Sequence, residues 1–157
     1  MTVRSAVWLD HEKAIIAMIE PGVERLAVVA SRISELFRTP VGARSSHPWG
    51  RRNKSRTDIE VREHDDMVTR FFGEVIARLS GSEAIMVCGP GAAKLALIKR
   101  MHKSGMDARV KAIEPADKMT DRQFLAKARA FFHAAKSRDH AVRGLTHNVP
   151  VVTVPYA

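Results

Sequence analysis

The run "AIMVC" at 84–88, followed at once by "GPGAAKLALIKRMHK", limits the possible folds more than any other part of this chain. Five consecutive apolar residues with β-branched content, too short for a helix and bounded by glycine, read as a strand buried on both faces. A glycine turn then opens a helix that ends near Ser104-Gly105. A strand of that kind needs neighbours on each side and helices over each face, so an α/β sheet is required.

The rest of the chain supplies the partners. "SAVWL" and "KAIIAMI" are short apolar runs separated by the turn-like "DHE", as in a hairpin, and Pro21-Gly22 precedes a third strand candidate, "VERLAVVASRI". Val68, Phe71, Phe72, Val75, Ile76 and Leu79 recur on one helical face before the stop at Ser80-Gly81. "ARVKAIE" at 108–114 reads as the next strand. Thr120 and Gln123 form a capping box with Asp121 in the first turn, and Phe124, Ala128, Phe131, Phe132 and Ala135 make the buried stripe of the helix that follows. "NVPVVTVPYA" has β-branched content but two prolines, which suits an edge strand or an arm over about 148–157. The order is three strands, a loop, then helix, strand, helix, strand, helix. It predicts a mixed sheet with antiparallel hairpins first and parallel crossovers later. At 157 residues a single domain is expected.

Between the third strand and the first long helix the apolar pattern vanishes. Pro40, Gly42, Pro48 and Gly50 break any regular element, so a flexible loop is expected over about 38–58. From Arg38 to Arg56 it holds six basic residues (Arg38, Arg44, Arg51, Arg52, Lys54 and Arg56) and no carboxylate. The whole chain has 26 Lys and Arg against 17 Asp and Glu, a net charge of +9. That balance favours phosphate-rich partners. Arginine offers bidentate phosphate contacts, while His47 and Trp49 offer planes on which an unpaired base can stack. The alternative for the stretch is a solvated loop that keeps the protein soluble. A second basic band, Lys94, Lys99, Arg100, Lys103, Arg109 and Lys111, falls on the second helix and the strand after it, where it also fits the wet face of an amphipathic helix.

Other chemistries find less support. Gly89, Pro90 and Gly91 before a helix could cradle a phosphate with help from Lys94, but the spacing matches neither a Walker loop nor a dinucleotide fold. A tight turn needing positive φ is the preferred reading. Asp10, Asp65, Asp66, Asp117 and Asp121 are the carboxylates that a two-metal nuclease would need, with Asp65 and Asp66 expected to open the first long helix. Each also has a simpler role in a turn or at a helix start. The seven histidines scatter without metal-site spacing, and the lone Cys88 sits in a strand, so no metal and no cofactor are expected. No apolar run approaches the roughly 18 residues that span a bilayer, and the N-terminus lacks a secretory pattern. A soluble, cytoplasmic protein without a membrane partner is expected.

"AVWLDHEKAIIAMI", "AIMVCGPGAAK" and "AIEPADKMTDRQFLAKARAFF" together resemble small bacterial translational machinery proteins, which are relatives of the middle domain of archaeal and eukaryotic peptide-release factors and of Pelota. The resemblance covers roughly Ala6 to Phe132, and the GPG-x-AK turn and the Thr-Asp-Arg-Gln helix start are its most specific parts. It implies a ribonuclease-H-like mixed sheet. In release factors the loop after the third strand carries a Gly-Gly-Gln tripeptide that promotes peptidyl-tRNA hydrolysis; this sequence contains none. Pelota-like relatives also lack the tripeptide and use a basic loop on RNA. The resemblance therefore implies a non-catalytic protein that meets ribosomal RNA or tRNA, and with them the ribosome, through Arg44, His47, Trp49, Arg51, Arg52, Lys54 and Arg56, with Lys94 and Lys99 as further contacts. A nuclease or peptidyl-tRNA hydrolase, and a protein-interaction module with an acidic partner, are the alternatives. Oligomeric state is left open.

Overall fold

A computed structural model describes residues 2–36 and 54–145, with side chains over 2–34 and 60–136. The elements are β1 (Arg4–Leu9), β2 (Lys13–Glu20), β3 (Val23–Ala30), α1 (Ile33–Leu36), α2 (Lys54–Leu79), β4 (Ala84–Gly89), α3 (Ala93–Lys103), β5 (Val110–Pro115) and α4 (Asp121–Leu145). The strands form one sheet in the order β3-β2-β1-β4-β5. β2 pairs antiparallel with β1 and β3, and β4 pairs parallel with β1 and β5, so β2 alone runs against the other four. This is the mixed sheet that the element order predicts, antiparallel hairpins first and parallel crossovers later, and the ribonuclease-H-like arrangement that the resemblance implies.

Local chemistry sets each connection. Asp10 Oδ1 accepts the backbone N–H groups of Glu12 and Lys13, both at 2.8 Å, and closes the β1–β2 hairpin. Gly22, with φ near 79°, turns the chain into β3. The capping box at α4 forms as expected: Gln123 Oε1 accepts the Thr120 N–H at 2.9 Å, and Thr120 Oγ1 accepts the Gln123 N–H at 3.3 Å.

β1 and β4 occupy the middle of the sheet and are buried on both sides. Val7, Leu9, Ile16, Ile85 and Val87 face α2 and α3, which contribute Phe71, Phe72, Val75, Leu97 and Met101. Ala6, Trp8, Ile15, Met86 and Cys88 face α4, which contributes Phe124, Ala128 and Phe132. The alternation of strand side chains assigns successive residues to the two cores. β3 is an edge strand, and its Leu26 and Val28 remain exposed.

Three expectations need correction. The long loop ends earlier than 58, because α2 already begins at Lys54, which places Lys54 and Arg56 in its first turn. Residues 60–66 of α2 are mostly exposed, so that part of the helix has no apolar face to produce a period. Asp65 and Asp66 consequently sit inside α2 rather than at its start. Finally, β5 starts at Val110, because Asp107–Arg109 form a single 3-10 turn. Arg38, Arg44, His47, Trp49, Arg51 and Arg52, and the expected arm at 148–157, lie outside the described residues.

Cys88 is fully buried, as its apolar surroundings suggest. Burial pushes its thiol up to about 11 from an ordinary value of 9.0. The unfolded chain, with the lower value, loses that proton first. The contribution of the buried thiol to stability is therefore complete below pH 9 and is lost as pH rises toward 11. An aromatic disulfide reagent at pH 8 should leave the native protein unmodified for as long as it stays folded, and react within seconds once denaturant is added. Rapid modification of the native chain would contradict this burial.

Candidate nucleic-acid interface

α3 starts at the glycine turn, where Gly91 adopts a φ near 60°. It buries Ala93, Leu97 and Met101, four residues apart, against the sheet. That stripe fixes the helix's rotation and turns Lys99, Arg100 and Lys103 toward α2. There they line an open groove of about 520 Å³ together with Thr69 and Gly73 of α2 and with Ser104. The Arg100 guanidinium lies over the ring of Phe72, 5.2 Å from its centre, and the buried ring holds its position. Among the described residues, none of the three cations pairs with a carboxylate.

The second basic band is therefore not one surface. Lys94 donates to Gly91 O at 2.6 Å, closing its own turn rather than entering the groove. Arg109 donates to the carbonyls of Ser80 and Ser82 and clamps the turn between α2 and β4. Lys111 lines a separate cavity of about 630 Å³ beside Arg4 and Phe131, on the α4 side of the sheet. Of the two band residues singled out as RNA contacts, Lys99 belongs to the groove and Lys94 does not. Thr69, Gly73 and Ser104 escaped the sequence reading, since nothing local marks a glycine within a helix as facing cations on another element.

The glycine turn takes its structural role. Gly89, with φ near 150°, packs so closely that a Cβ would stand 2.1 Å from Leu9 O. The carboxylates are also occupied locally or dispersed. Asp10 closes a hairpin, Asp121 opens α4, and Asp65 and Asp66 lie inside α2. Among the described residues no three His, Cys, Asp or Glu side chains are grouped so as to hold a metal ion, and no helix is long and apolar enough to cross a membrane.

No family model and no curated protein matches the chain. Among solved structures, it is similar to the Pelota protein of Thermoplasma acidophilum, at 20% identity over 76% of this chain and 30% of that one, with a TM-score of 0.48. It is also similar to Pelota of Archaeoglobus fulgidus, at 14% identity over 92% of this chain and 38% of that one, with a TM-score of 0.46. An archaeal translation termination factor aligns at 11% identity over 91% of this chain and 42% of that one, with a TM-score of 0.47. The chain thus spans less than half the length of each.

Proposed function

We propose that this protein binds RNA of the translation machinery without catalysing a reaction. The observation that carries this reading is the carboxylate-free cationic stretch from Arg38 to Arg56, which leads directly into α2, the helix that forms one wall of the cationic groove. Six of the 26 Lys and Arg fall within this one stretch with no carboxylate among them, a density along the chain that suits a phosphate backbone. The translational setting rests on the sequence resemblance described above. The missing Gly-Gly-Gln tripeptide supports a binding role over hydrolysis, since glycines permit backbone approaches to an ester that Arg51, Arg52 and Asn53 do not.

The test is co-sedimentation with purified ribosomes at two salt concentrations, comparing the native protein with a variant carrying Ser at Arg44, Arg51 and Arg52 and Gln at Lys54 and Arg56. Glutamine preserves helix propensity at the two positions that lie in α2. Five phosphate contacts contribute about −3.5 to the log–log salt slope, about a hundredfold between roughly 50 and 200 mM salt, and the variant should lose that contribution. A native protein that stays in the supernatant at low salt would overturn the ribosomal assignment. Turnover of labelled RNA or peptidyl-tRNA would point to the enzymatic alternative.

A further inference from the structure

Three cations of α3 face a glycine of α2 across the groove, and each half of that arrangement costs helix stability. Lys99, Arg100 and Lys103 fall at i, i+1 and i+4, where like charges repel. The α3 dipole favours basic residues in its last turn, which accounts in part for their presence. It does not account for Gly73. A Cβ at this position would meet nothing within 4 Å, so packing does not demand a glycine, and within a helix glycine is the poorest choice after proline. A carboxylate at 73 would relieve the repulsion and improve the helix at once. The chain instead leaves position 73 without a side chain, between Thr69 and Ile76 of α2 and opposite Ala96 of α3, while the Ser104 hydroxyl donates to the Arg100 carbonyl at 3.1 Å and closes the end of α3. What the groove lacks, among the described residues, is a carboxylate facing the three cations, and that absence leaves their charge available to an anion.

We propose that this groove is a binding site for the sugar-phosphate backbone of single-stranded RNA, with Lys99, Arg100 and Lys103 contacting phosphates and position 73 free of any carboxylate that would compete for them. The proposal rests on the RNA-binding reading and extends it to a second place on the molecule. The groove runs between two helices and is open to solvent, so a phosphate backbone can lie along it, and the duplex control decides between one strand and two. Gly73 lies 19 residues beyond Lys54 along α2, about 29 Å at the helical rise, so one strand can reach from the cationic stretch to the groove. A polymer with a charge on every unit suits such a track.

The experiment measures binding of a labelled single-stranded RNA of about 12 nucleotides, and of a duplex of equal length, over a series of salt concentrations. The proteins compared are native, Gly73→Ala, Gly73→Glu and the Lys99→Gln/Lys103→Gln pair, each with its melting temperature. Both Gly73 variants should melt higher than native. Gly73→Ala should keep near-native affinity, whereas Gly73→Glu should bind the single strand about tenfold or more weakly. The glutamine pair should lower the salt slope by about 1.4, at roughly 0.7 per phosphate contact. Native affinity in Gly73→Glu, with binding lost only in the variant of the 38–56 stretch, would remove the groove and leave the RNA reading standing. Absence of native RNA binding at low salt would remove both. Poly-glutamate competing with RNA charge for charge would reassign the groove to an acidic protein partner.

Discussion

Replacing Gly89 with alanine is expected to destabilise the protein by about 3 kcal/mol or more, a large part of the roughly 5–15 kcal/mol that holds a domain together. Gly89 ends β4 beside the end of β1, and the added methyl carbon would stand 2.1 Å from Leu9 O and 3.1 Å from Leu9 C. Those are backbone atoms of the neighbouring central strand, so no side chain can rotate away. The φ near 150° adds strain for any L side chain. Relief requires β1 and β4 to separate, and both strands contribute buried residues to each of the two cores. Urea unfolding followed by circular dichroism measures the effect. A loss under about 1 kcal/mol would show that the strands relax easily and that the close approach is not structural. Gly73→Ala is the internal contrast: the same chemical change in open space is expected to stabilise by up to about 1 kcal/mol.

Trp8→Ala is expected to cost about 3–5 kcal/mol. Trp8 is 1% exposed and belongs to the core under α4 with Ile15, Met86, Phe124 and Phe132. Its indole N–H also donates to the Asp117 carbonyl in the turn that leads into α4. Trp8→Phe separates the two contributions. It keeps most of the apolar volume and removes the donor, and water can reach the carbonyl of the exposed Asp117, so about 1–2 kcal/mol is expected. Denaturant unfolding of both variants decides the matter. Equal losses would mean that the hydrogen bond, not packing, fastens α4 to the sheet.

The sequence by itself determined the elements whose causes are short-range. A turn aspartate closing a hairpin, an apolar run between polar neighbours and a capping box at Thr120 each act within a few residues, and the hairpin, the doubly buried β4 and the start of α4 appear where those signals place them. The N-terminal part of α2 was illegible to periodicity, because a helix segment that packs against little has no stripe to reveal. Only the tertiary structure decided which surfaces meet. Gly89 must be glycine because of Leu9, 80 positions earlier, and Gly73 acquires its meaning from Lys99, Arg100 and Lys103 on a different helix. Such pairings are made by the parallel crossovers of β4 and β5 and by the packing of α2 beside α3. Both bring distant residues together through burial of apolar faces, and the residues they bring together leave no mark in the sequence around them.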